Sequence, residues 1–179
     1  LVDKILKLAI DIQQIPAPTF DERKRAEFLR NLYLTEGLDK VEIDQVGNVY
    51  GRIKGDSDVA PLVICAHLDT VFPSETDLRI ARDPDRVAGP GIGDNSLGVA
   101  GMLGLLWLLR DQKESPRGDI WLVATVSEEG LGDLYGMRKV VDRFEDRPIA
   151  YLALEGMALG YIYHRALGVR RYRISAKTQ

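Results

Sequence analysis

One cysteine, Cys65, excludes an internal disulfide framework and any zinc site built from four thiolates. Histidine is nearly as scarce, with only His67 and His164. A metal site in this chain must therefore draw most of its ligands from carboxylates. There is no excess of positive charge: 24 Lys+Arg stand against 27 Asp+Glu, a net charge of −3. That balance argues against non-specific nucleic-acid binding, which needs a basic face. Long hydrophobic runs are missing too. The longest, 97–109, is too short to span a bilayer and reads as a buried helix. Asp3, Lys4, Lys7 and Asp11 interrupt the N-terminal apolar pattern, where a signal peptide would have a continuous stretch. The expectation is a cytoplasmic protein with no nucleic-acid or membrane partner.

What is present is ordinary for a folded chain. Apolar residues make up 45% and charged residues 28% of the 179, which excludes disorder and coiled coil. The length allows one domain, or one domain and part of another. Leu1, Ile5, Leu8, Ala9 and Ile12 share one face of a first helix that Pro16 and Pro18 end. Thr19 and Glu22 have capping-box spacing and open a second helix that Gly37 closes. Strands are predicted over 40–44, 48–54, 61–66, 119–126 and 149–154, with helices over 96–111 and 132–144 and a loop over 74–93. Near-continuous apolar strands alternating with helices predict an α/β fold. Its sheet is mostly parallel (mixed) and sandwiched between helices. Residues 169–177 alternate differently and read as a half-exposed strand that begins another domain, with Arg170, Arg171 and Arg173 on its wet face.

In open α/β sheets, ligands bind beyond the carboxyl ends of the strands. There the chain places His67-Leu-Asp69, then Asp94-Asn95 at the head of a helix, then Glu128-Glu129, then Glu155. Five carboxylates around one imidazole would raise one another's pKa, and no Lys or Arg lies within these short motifs. Bound cations are the economical answer, and oxygen with imidazole suits Zn, Mn or Co. Two ions about 3.5–4 Å apart, bridged by one carboxylate, would make a two-metal hydrolase site. The glycines at 89, 91 and 93 lack the Lys-Ser/Thr of a phosphate loop, so no nucleotide is expected. Cys65, in a buried strand, is expected to be inert.

The segments ICAHLDTVFP, GPGIGDNSLGVAGM, TVSEEGLGDLYGM and ALEGM resemble the motifs of the di-zinc exopeptidase family that contains peptidase T, glutamate carboxypeptidase, acetylornithine deacetylase and succinyl-diaminopimelate desuccinylase. The resemblance covers residues 3–165 and implies a zinc-exopeptidase-like catalytic domain, incomplete in this chain. Residues 1–167 would be its N-terminal part, and 168–179 the first strand of a lid or dimerisation domain. Roles follow from the resemblance residue by residue. His67, Asp94, Glu129 and Glu155 would be metal ligands, with Asp94 bridging two ions and joined to Asn95 by a cis peptide. Asp69 and Glu128 would be the catalytic pair, Asp69 orienting the His67 imidazole and Glu128 acting as general base. The residues alone leave open which of Glu128 and Glu129 is base and which is ligand. The implied activity is two-metal hydrolysis of amide bonds in small peptides or N-acyl amino acids, by a protein that dimerises through its lid. A second metal-binding His is expected from outside this chain; His164 matches nothing in the pattern, so the fragment alone should be inactive. The alternative is a non-catalytic α/β binding module that keeps the scaffold.

Overall fold

The computed structural model describes residues 1–156, 159–169, 172 and 174–177. Its elements follow the apolar pattern closely. Helix α1 (Val2–Gln13) buries Leu8, Ala9 and Ile12, and α2 (Arg23–Thr35) buries Ala26, Leu29 and Tyr33. A hairpin follows, β1 (Asp39–Ile43) and β2 (Val49–Ile53), then the buried strand β3 (Leu62–His67). Within the stretch expected to be loop, β4 (Ala81–Arg82) and β5 (Val87–Ala88) pair as a short antiparallel ribbon. Two residues per strand are too few to leave an alternation signal. The rest of the chain order is α3 (Leu97–Asp111), β6 (Ile120–Thr125), α4 (Tyr135–Phe144) and β7 (Ala150–Ala153).

The main sheet has the order β1-β2-β6-β3-β7. β3 lies parallel to both β6 and β7, whereas β2 runs antiparallel to β1 and to β6. Four of the five strands thus point the same way and β2 alone is reversed, which is the mixed sheet expected. Alternation along each strand divides the core between two faces. Val49, Ile64, Ala66, Leu122 and Ala124 pack with α1, α2 and α3; Tyr50, Val63, Cys65 and Val123 pack with Val140 and Phe144 of α4. Gly104 of α3 is where α1 closes in, since a Cβ there would meet Ile5 Cδ1 at 2.6 Å.

Two expectations need correcting, and a third falls partly outside the described residues. Thr19 and Glu22 do not form a capping box: α2 has no side-chain cap, and both side chains bond elsewhere. Residues Ile92–Asp111 together form a helical run long and apolar enough for a bilayer, contrary to the shorter estimate from 97–109; more than half of it (56%) is buried inside the protein, as a core helix. Of the predicted strand 169–177, the described residues Val169, Tyr172 and 174–177 carry no strand, and Arg170, Arg171 and Arg173 lie outside the described residues.

Candidate metal centre

Strand order brings the acids to the histidine. β3 ends in His67 and lies between β6 and β7, so whatever follows those two strands flanks the imidazole. After β6 the chain turns through Ser127 into Glu128 and Glu129; after β7 it runs through Leu154 into Glu155. Two groups of donor atoms result, each mutually within 4.8 Å: His67 with Glu128 and Glu129, and His67 with Asp94 and Glu155. All five carboxylates expected from the sequence meet at this edge.

Asp94 arrives by a kink. Residues Ile92–Ser96 form a distorted turn ahead of α3, with a cis peptide between Asp94 and Asn95. Asn95 is fully buried and ties the kink in place: its Nδ2 donates to the Leu154 carbonyl at 2.7 Å, and its Oδ1 accepts the Gly98 N–H at 3.1 Å. A Cβ on Gly98 would collide with Asn95 Oδ1 and the Leu154 carbonyl, and one on Gly156 with the Gly93 carbonyl. The loops bearing Asp94 and Glu155 therefore touch backbone to backbone, which only glycine permits.

His67 is buried, and its two ring nitrogens face different surroundings. Nε2 lies 2.9 Å from Asp94 Oδ1 and 3.6 Å from Glu155 Oε2. Nδ1 lies 2.9 Å from the backbone oxygen of Asp69 and 3.5 Å from its Oδ1. The Asp69 residue thus orients the ring mainly through its carbonyl. Its buried carboxylate accepts instead from Glu128 N at 3.0 Å, Glu129 N at 2.9 Å and Thr19 Oγ1 at 3.0 Å. Asp69 joins the histidine loop to the Glu128-Glu129 turn.

The electrostatics follow from crowding. Burial disfavours charge on His67, but Asp69 and Glu155 outweigh it and push its pKa up to about 11. Burial raises Glu128, against the pull of His67. Burial and the charge of Asp94 raise Glu129. Burial also opposes charge on Asp69, yet its bonds to His67 and to two backbone N–H groups hold it below the ordinary carboxylate range. An imidazole crowded by carboxylates, two of which (Glu128 and Glu129) are held back from ionising, has the electrostatic character of a cation site. The donor set, one imidazole with carboxylate oxygens, fits divalent metals of the Zn, Co or Mn kind.

Three side chains that support this edge were not singled out from the sequence as part of the site. Thr19 reaches Asp69, Glu22 reaches Ser127, and Arg25 reaches Leu68, all over long sequence separations. The short acidic motifs hold no Lys or Arg, as the sequence indicated, but Arg25 brings a cation behind them from α2. It is buried, donating from Nη1 to the Leu68 carbonyl at 2.6 Å and from Nε and Nη2 to the Ile15 carbonyl at 3.1 and 2.6 Å. Burial lowers its pKa to about 10, partly opposed by the charge of Asp69. The available signal was position: Arg25 falls in register with Leu29 and Tyr33 on the buried face of α2. His164 is exposed and joins neither donor group.

Comparison with known proteins agrees with this geometry. Residues 48–164 match the model of peptidase family M28. The uncharacterized protein YfbL of Escherichia coli (strain K12) is 31% identical over 111 residues, covering 59% of this chain and 32% of that protein. A tripeptidase from Staphylococcus aureus superposes with a TM-score of 0.71 at 25% identity, over 87% of this chain and 44% of its own. The Bacillus subtilis YXEP protein, a dinuclear metal binding peptidase from the M20 family, gives 0.63 at 18% identity, over 84% of this chain and 42% of its own. The chain spans less than half the length of each of these relatives.

Proposed function

The chain belongs to peptidase family M28, and from that premise we propose that it carries the N-terminal part of a two-metal catalytic domain that hydrolyses amide bonds in small peptides or N-acyl amino acids. The observation that carries this reading is the meeting of His67 with Asp94 and Glu155 on one side and with Glu128 and Glu129 on the other. In this reading His67, Asp94 and Glu155 hold one ion. By the family resemblance, Asp94 and Glu129 would hold a second. Bound there, the pair of ions would supply Lewis acidity to a water and to the scissile carbonyl. Zinc suits the set best, with cobalt or manganese as substitutes.

Glu128 is the general base. Its burial and raised pKa suit a carboxylate that takes a proton from the attacking water and gives it to the leaving nitrogen. Asp69 is a positioning residue, holding the His67 ring by its carbonyl and the N–H groups of Glu128 and Glu129 by its carboxylate. The second metal lacks an imidazole in this chain, so the 179 residues alone turn over little or no substrate. Residues 168–179 open a lid domain through which the complete protein dimerises, a reading that rests on the family resemblance. The test is hydrolysis by the full-length protein loaded with Zn or Co, assayed on di- and tripeptides and N-acyl amino acids. Cleavage that a chelator abolishes and metal restores supports the assignment; no cleavage of either class overturns it.

A further inference from the structure

A buried carboxylate outside the metal-binding set fixes the turn that carries the general base. Glu22 immediately precedes α2 and is 6% exposed. Its Oε1 accepts the Ser127 N–H at 2.9 Å and the Phe20 N–H at 3.0 Å, and lies 3.4 Å from Ser127 Oγ. Helix capping does not account for it, since α2 receives no side-chain cap bond. Ser127 has φ of +54°, a left-handed conformation that a non-glycine residue adopts only when its surroundings hold it there. The next two N–H groups, of Glu128 and Glu129, go to the Asp69 carboxylate. Three consecutive N–H groups of one turn therefore end on carboxylates, and Glu22 takes the first. One helical turn further on, Arg25 holds the Leu68 carbonyl, between His67 and Asp69. The start of α2 thus grips both the histidine loop and the base turn.

We propose that Glu22 is a positioning residue for Glu128, acting through the Ser127 N–H to set where the base carboxylate stands relative to His67 and its acids. The proposal rests on the reading of Glu128 as general base. A displacement of about 1 Å at such a group lowers turnover by up to ~10²-fold. A residue that positions the base shows its effect in kcat, because the metal ligands and substrate contacts remain.

The test uses full-length, metal-loaded enzyme and three substitutions. Glu22→Gln keeps an acceptor oxygen at the same reach without the charge. Glu22→Asp keeps the charge but is one methylene too short. Glu22→Ala has neither. Glu22→Asp and Glu22→Ala are expected to lose about 10- to 100-fold in kcat, with KM and metal content within about twofold, while Glu22→Gln stays within about threefold of wild type. In a Glu128→Gln background, Glu22→Ala should cost nothing further. A fully active Glu22→Asp, or a Glu22→Gln as impaired as Glu22→Ala, overturns the proposal, as does a loss of metal in step with kcat. If Glu22→Ala does not fold, the Gln and Asp variants still decide. An active Glu128→Gln defeats the underlying reading instead, whatever the Glu22 variants do.

Discussion

At the scale of single residues, the site depends on which atoms of Asp69 face which partners. Its carboxylate takes two N–H groups and the Thr19 hydroxyl while its carbonyl faces the imidazole. Spacing can put Asp69 near His67, but it cannot divide the work between side chain and backbone. The lowered pKa gives the arrangement a pH signature in metal-free protein. A carboxyl depressed on folding contributes its stability above the ordinary carboxylate pKa of about 4 and loses it as pH falls through the depressed folded value. Asp69→Asn should therefore destabilise by about 1–3 kcal/mol at neutral pH and flatten the decline of stability on the acid side. Urea unfolding from pH 7 down to pH 3 measures both; an unaltered acid slope would show that Asp69 is not the group responsible. Cys65 lies in the buried strand expected from the sequence. It is buried, with burial and the charge of Glu155 raising its thiol to about 12, so it should resist thiol reagents at pH 8 until the protein unfolds.

At the scale of elements, β3, β6 and β7 do the gathering, and α3 delivers Asp94 through the kink that Asn95 fastens. Gly98 is a tight point of the kink, where Asn95 Oδ1 and the Leu154 carbonyl leave no room for a methyl group. Gly98→Ala should cost about 1–3 kcal/mol by overpacking, read as a lower denaturant midpoint with an unchanged slope. A variant as stable as wild type would mean the kink relaxes freely. The elements themselves were legible, because buried strands and amphipathic helices write their periods into the sequence. The two-residue ribbon of β4 and β5 was not, being shorter than any period. Thr19 and Glu22 misled for a different reason. Their spacing satisfies a local rule, but long-range partners at Asp69 and Ser127 offer buried carboxylate chemistry that a local cap does not.

At the scale of the whole molecule, the sheet order explains why acids scattered from Asp69 to Glu155 converge, and why His67 belongs to both donor groups. Each candidate site residue was legible as a residue at a strand end or, for Asp94, at the head of a helix. The side chains that hold the site from behind, Thr19, Glu22 and Arg25, were not, because nothing in a linear pattern pairs α2 with loops tens of residues away. Chain length enters here. The chain spans 44% of the tripeptidase it resembles; on the proposed assignment, which draws a further imidazole ligand from outside these residues, the 179 residues alone should turn over at least about 10³-fold more slowly than the full-length protein. Comparable rates for the two would show that these residues suffice.

The most direct measurement is the metal content and turnover of full-length protein carrying His67→Ala or Glu128→Gln, determined by elemental analysis alongside peptide hydrolysis. With His67 at the junction of both donor groups, His67→Ala should lose most of its bound metal and its activity together. Glu128→Gln should keep its metal and lose about 10³-fold or more in kcat. A His67→Ala protein with wild-type metal content, or a Glu128→Gln protein that still cleaves peptides at the wild-type rate, would contradict the account.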